Sequence, residues 1–261
     1  MTELDVIGRT CLSFTVSGRW GHFRRIDTTT GKQTYRVIPR TTVAGLIGAI
    51  LGKPRDSYYD TFAPDASAIA IEPLVPLRTM QIPMLTLPTD EGDIQQAAGL
   101  DGKTIVAPEK IERERKRRTF EYVVEHAYRI DVVLTDEETR DELQDRLLTN
   151  SSVYTPCLGK TECLARINAD REIESASDIE FTVESAPEEI THVDSIAPET
   201  AFAPAMGESY EMERTPTYME RDGRSRKTTG YASYAFASDG EPLLVSNAEA
   251  SIVDGRTVCF M

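Results

Sequence analysis

The chain is poor in lysine and histidine and has no long apolar run. Of its 29 basic residues, 7 are lysines and 22 are arginines. Its histidines are His22, His126 and His192. The four cysteines, Cys11, Cys157, Cys163 and Cys259, form no C-x-x-C pair. Cys157 and Cys163 are six apart with no histidine beside them, so a zinc site is not expected. In a reducing compartment, buried free thiols are the default. No segment approaches 18 uninterrupted apolar residues, which excludes a membrane-spanning helix. The start, MTELDVIGRT, lacks the basic, apolar and small-residue succession of a secretory leader. A cytoplasmic location is expected, with no membrane partner. No Ser-His-Asp order, Walker loop, G-x-G-x-x-G or H-E-x-x-H motif occurs, so an ordinary hydrolase or nucleotide enzyme has no support. Neither a cofactor nor a metal is expected.

Acid is abundant. The 261 residues include 43 Asp and Glu, for a net charge of −14. That total argues at first against nucleic acid, but its distribution is uneven. Residues 171–261 carry 18 acidic and 7 basic side chains. Residues 18–55 carry eight basic side chains against Asp27 alone: Arg19, Arg24, Arg25, Lys32, Arg36, Arg40, Lys53 and Arg55. High acid with little lysine suits a protein kept soluble in concentrated salt. At molar salt the Debye length is about 3 Å, so a phosphate contact must be short and hydrogen-bonded.

Periodicity places the elements. Residues 5–17 alternate, with Val6, Leu12, Phe14 and Val16 on one face, and read as a half-buried strand. Residues 18–37 are glycine-punctuated and basic, a long loop or hairpin. Val43, Leu46, Ile47, Ile50 and Leu51 follow helical spacing, with Thr41 or Thr42 as N-cap and Gly52 as C′ residue. Gly45 and Gly48 leave room for another backbone or a ligand. A short strand ended by prolines lies in 67–79. Residues 127–134 form a second strand. Thr135 and Glu138 make a capping-box pattern opening a helix over 136–148. A Pro-then-Gly turn and a further strand follow in 151–167. The order is strand, helix, strand, long excursion, strand, helix, strand. That is the β-α-β-β-α-β ferredoxin-like pattern, an α+β class, with an insertion between its second and third strands. The division reads as residues 1–168, with the insertion at about 80–126, and an acidic β-rich extension over 169–261.

Three places could carry chemistry. The start of the helix after Pro39-Arg40-Thr41-Thr42 could hold an anion through free N–H groups, hydroxyls and Arg40. The run Lys110, Arg113, Arg115, Lys116, Arg117, Arg118 opposes only Glu112 and Glu114. It is either a solvated face with internal ion pairs or an arm on a nucleic-acid backbone. Phe120 and Tyr122 could then stack on bases or could be core. MERDGRSRKTTGY, residues 219–231, reads as a hairpin with Arg221, Arg224, Arg226 and Lys227 around an Asp222-Gly223 tip.

Two segments also resemble a known family. Tyr35 with Pro39-Arg40-Thr41-Thr42 and Gly45-Leu46-Ile47-Gly48-Ala49-Ile50-Leu51-Gly52 resembles the N-terminal motif of the fifth CRISPR-associated (Cas five) family. YTPCLGKTECLA, residues 154–165, resembles its second segment, with Cys157 where an aromatic is common. The resemblance covers residues 1–60 and 125–168. It implies a ferredoxin-like fold of the RAMP superfamily with a β-hairpin thumb. It further implies a non-catalytic subunit of a type I Cascade surveillance complex. Such a subunit would cap the 5′ handle of the guide RNA and contact the backbone and large subunits. The composition is similar to a type I-B version from a salt-loving archaeon. The RNA contacts then expected are His22, Arg24, Arg25, Lys32, Tyr35, Arg40, Thr41, Thr42, Arg113, Arg115, Lys116, Arg117, Arg118, Phe120, Tyr154 and Lys160. The alternative is a metal-independent endoribonuclease, as in a branch that uses a tyrosine, a lysine and a histidine. No lysine and histidine are neighbours in this sequence.

Overall fold

Tyr128, Ile130, Val132 and Leu134 point into one core, as their alternation requires. The strand that carries them is much longer than eight residues. The computed structural model describes residues 4–27, 31–86, 115–187, 189–204, 206, 209–223 and 225–261. In it, strand β6 runs through Lys116–Leu134, 19 residues. Before it come β1 (Thr10–Gly21), β2 (Phe23–Asp27), β3 (Gly31–Tyr35), helix α1 (Arg40–Ile50), β4 (Ser67–Pro73) and β5 (Arg78–Thr86). After it come helix α2 (Glu137–Leu148), β7 (Arg166–Ile167), β8 (Glu180–Thr182), β9 (Glu184–Ser185), β10 (His192–Val193) and β11 (Ala197–Pro198). The chain ends with β12 (Tyr210–Asp222), β13 (Ser225–Ala237), β14 (Leu243–Leu244), β15 (Ser251–Val253) and β16 (Arg256–Val258).

β6 is the axis of the main sheet. Its C-terminal half pairs antiparallel with β1 on one side and β4 on the other. Its N-terminal half pairs with β5 from Lys116 to Val124, forming an arm whose root also pairs in parallel with β3 at Thr119 and Phe120. β7 and β8 add to the far edge of β1. Glu125 sits where arm meets core. Its φ is +46°, a left-handed conformation inside a strand, and the register with β1 skips it. β1 is buried on both faces, not one. Leu12, Phe14 and Val16 join the main core, while Cys11 packs with Ala68, Val133 and Val258 in a second one. Val6 lies before the strand and packs on that second core.

Both expected N-caps shift by a residue or two. Helix α1 begins at Arg40 with Pro39 as its extended N-cap, and no hydroxyl caps it. Helix α2 has Asp136 as N-cap, while the Thr135 hydroxyl donates to the Ala66 carbonyl. Gly52, φ +70°, takes the C′ position as expected.

Arg40 is 1% exposed. Its Nε donates to the Met261 carbonyl at 3.0 Å. One terminal nitrogen reaches the Phe62 and Thr217 carbonyls at 2.8 and 3.3 Å, and the other the Ser67 carbonyl and hydroxyl at 3.1 and 2.7 Å. The Tyr218 ring lies 4.3 Å from the guanidinium carbon. One side chain thus joins α1, β4, β12 and the last residue. A second arginine does similar work: Arg256 forks onto the fully buried Asp131 at 2.8 and 2.9 Å and reaches Glu72 at 2.8 Å. Glu213, 5% exposed, accepts from the Arg36 and Val37 N–H groups and so pins β12 to the β3–α1 linker. Glu211 pairs with Arg36 beside it. The acidic C-terminal third is therefore bonded into the basic N-terminal segment.

Two outcomes follow for stability. Arg40→Met and Arg40→Lys should each cost about 3–5 kcal/mol in urea unfolding, because four carbonyls lose their donor and lysine cannot reproduce the fork. A loss below about 1 kcal/mol in both would show the network to be dispensable. His126 is 1% exposed, and burial, slightly offset by the Trp20 backbone, holds its pKa down at about 4. The fold favours the neutral ring. This contribution is complete above the unfolded pKa near 6.5 and is lost as pH falls toward 4. Between pH 7.5 and 4.5, His126→Gln should lose about 2 kcal/mol less than the parent. Equal losses would exclude the ring.

Candidate nucleic-acid interface

The two family-like segments touch where the second one begins, and the second also packs against His22. The second segment folds as a tight loop, with Cys157 bridged to Leu164 and the Leu158 N–H donating to the Cys163 carbonyl at 2.7 Å. Gly159 closes it at φ +86°. A Cβ there would lie 2.1 Å from the His22 carbonyl oxygen, so only glycine fits. The His22 N–H in turn donates to the Leu158 carbonyl at 3.0 Å. The start of the segment holds the other end of α1: the Val153 and Tyr154 N–H groups donate to the Ile50 and Ala49 carbonyls.

Between these parts lies a cleft of about 440 Å³. Its walls are His22, Phe23 and Arg24, the α1 start with Pro39, Thr41 and Thr42, the same helix's Gly45, Leu46 and Ala49, then Tyr58, Cys157 and Gly159. Pro216, Met219, Arg226 and Thr228 from the β12–β13 hairpin complete it. Two arginines face this space and no carboxylate does, in a chain of 43 acids.

Beside the cleft, the arm's base carries a cluster. The Lys160 Nζ lies 4.1 Å from the Phe120 ring centre, 3.4 Å from the Tyr122 hydroxyl and 2.6 Å from the Glu162 carboxylate. His22 packs on both rings at 5.6 Å, and its Nδ1 meets the Glu121 carbonyl at 2.7 Å. Burial lowers the His22 pKa, so its ring is neutral at neutral pH. Burial raises the Tyr122 hydroxyl. Burial alone would lower Lys160, but Glu162 and the Tyr122 oxygen outweigh it and keep the ammonium charged.

The expected contact residues fall into three sets. Arg24, Thr41, Thr42 and His22 are brought together on the cleft, though His22 is only 4% exposed. Arg115, Lys116 and Arg117 are exposed along the arm, with Arg118 and Phe120 half-buried on it. Tyr154 is exposed and Lys160 half-buried on the second segment. Arg40 is in the core instead of at a phosphate, and its five hydrogen bonds are the reason. Tyr35, the last residue of β3, is likewise buried in the main core. Arg25 lies 3.8 Å from Glu213. Lys32 stands opposite Asp27 in the backbone register of the β2–β3 ladder. Arg113, with Lys110, lies outside the described residues. Tyr58, Met219 and Thr228 line the cleft without having been expected. Gly45 and Gly48, three apart on one helix face, were the available signal for Tyr58: a Cβ on either would stand 3.1 Å from that ring or its hydroxyl.

Gly159→Ala should therefore lower the melting temperature sharply, by the equivalent of about 2–3 kcal/mol. Gly223→Ala, also at positive φ but facing open space, should cost about 1 kcal/mol. Equal effects would mean that conformation alone, not the contact with His22, makes Gly159 necessary.

Comparison with known proteins places the chain in a family. A family model described as CRISPR-associated protein (Cas_Cas5) matches residues 11–229. A chain of a CRISPR RNA-guided surveillance complex is similar at 12% identity, covering 90% of each chain with a TM-score of 0.50. A CRISPR protein from Archaeoglobus fulgidus is similar at 14% identity, covering 95% of this chain and 98% of that one, with a TM-score of 0.52. No curated protein matches the sequence. The mixed architecture of many strands and two longer helices is shared with these structures. With the family model spanning both motifs and the cleft between them, the chain belongs to the CRISPR-associated Cas5 family.

Proposed function

We propose that this protein is a non-catalytic RNA-binding subunit of a CRISPR effector complex, holding the 5′ handle of a guide RNA in the cleft and along the arm. The observation that carries the reading is the cleft's lining: two arginines, three threonines, a helix start and no carboxylate. In so acidic a chain, such a surface suits a polyanion. Family membership supports it. The strand order β7-β1-β6-β4, with α1 and α2 as crossovers, supports the ferredoxin-like reading. The arm supports a thumb that leaves this sheet to grip the RNA. Within that reading the backbone and large subunits of a type I Cascade are the protein partners. The lysine-poor composition fits a type I-B complex working in concentrated salt.

One observation favours the ribonuclease alternative. His22, Tyr122 and Lys160, distant in sequence, share one cluster. Their chemistry points the other way. A tyrosine base needs a lowered pKa, and this one is raised. The lysine is tied to Glu162, and both rings are buried. Metal-free incubation of the protein with repeat RNA should return intact RNA that shifts on a gel. Discrete cuts abolished by Lys160→Met would establish the enzyme instead.

For the binding reading, Arg24→Gln and the combined change of Arg115, Arg117 and Arg118 to Gln should each weaken RNA binding while the subunit stays folded. Each lost phosphate contact should reduce the salt slope by about one. Unchanged affinity and slope in both would remove cleft and arm as the RNA surface.

A further inference from the structure

The cleft's outer wall is the β12–β13 hairpin. Met219 pairs with Thr228, and Arg221 with Arg226, across its ladder. Register shifts between Pro216 and Met219 twist the hairpin there, where Pro216 and Met219 reach the cleft. The inner wall includes Tyr58. Its ring rests on Gly45 and Gly48, is tilted against Tyr59 at 5.1 Å, and meets Phe62 edge-on at 6.2 Å. It is held on those sides and is still part of the cleft lining. A volume of about 440 Å³ is within the range of small-ligand sites and admits a nucleotide unit.

The charges on the hairpin are sorted. Glu211 and Glu213, near its base, neutralise Arg36 and Arg25. Arg226, nearer the tip, is exposed and makes no ion pair among the described residues. Asp56 feels its charge from a greater distance and bonds instead to the Tyr59 hydroxyl. An arginine so placed, with Thr228 beside it, suits a phosphate, whereas Tyr58 and Met219 offer apolar surface to a base.

We propose that the β12–β13 hairpin is a second RNA-gripping element, and that Tyr58, Met219 and Arg226 bound a subsite for a single nucleotide. The base lies between Tyr58 and Met219, and its phosphate meets Arg226. This rests on the RNA-binding reading above and adds to it a residue set from a different part of the chain. It also gives the two helix glycines a use: they lower the floor so that an aromatic ring can lie flat beside the helix start.

The test uses the full chain and a fluorescein-labelled RNA carrying the repeat-derived 5′ end. Arg226→Gln and Tyr58→Leu should each weaken binding at least about fivefold, as loss of a phosphate fork or a stacking platform does. Arg24→Gln serves as the control for the RNA reading itself. Because Tyr58→Leu can disturb α1, the parent protein is also photocrosslinked to the same RNA containing 4-thiouridine at successive positions. One position should crosslink to the peptides holding Tyr58 or Met219. Loss with Arg24→Gln but binding within twofold for Arg226→Gln, or crosslinks confined to the arm, would overturn the subsite and leave the RNA reading standing. No binding by the parent protein would overturn both.

Discussion

A single buried guanidinium is the constraint on which the rest depends. Among the described residues Arg40 has no Asp or Glu partner; its donors meet main-chain oxygens and the Ser67 hydroxyl, and its face meets a tyrosine ring. Burial lowers its pKa, yet an arginine remains charged in any solvent the fold survives. A buried charge is tolerable only when its donors are filled, so the five acceptors must be in place together. That makes the helix start, the edge of β4, the C-terminal hairpin and the last residue one cooperative unit. The cleft depends on this unit, because α1 and β12 are two of its walls.

The acidic surplus has a structural side as well. Glu211, Glu213, Asp131 and Glu72 are not spread over the surface as a hydration layer; they neutralise Arg36, Arg25 and Arg256. Arg226 on the cleft and Arg115, Lys116 and Arg117 on the arm stay exposed after this pairing. A count of basic residues over 18–55 therefore overstates the basic surface, because Arg25, Arg36 and Arg40 are engaged inside the protein.

Much of the fold was legible because it obeys simple periods. The 3.6-residue spacing gave α1, alternation gave the inward face of β6, and Gly52 marked a helix end. The extent of β6 was not legible, since Lys116, Arg117 and Arg118 carry no apolar alternation and owe their strand geometry to pairing with β5. Nor was the fate of Arg40. A basic residue beside two threonines at a helix start looks like an anion site until the acceptors from residues 62, 67, 217 and 261 converge on it. The candidate site was half legible. Its two motif segments stood out, but the hairpin that closes the cleft lies some 170 residues from the helix it faces, and only tertiary packing joins them.

The left-handed backbone at Glu125 has a geometric consequence. The arm from Lys116 to that point is about ten residues, or about 30 Å at the usual strand rise. Its direction relative to the sheet passes through a backbone held at φ +46°, with ladders on either side that resist independent rotation. A change of about 10° there would carry the tip sideways by about 5 Å, roughly one inter-strand spacing. The arm's aim is thus set jointly by that torsion and by the β1 and β3 ladders that pair along its root.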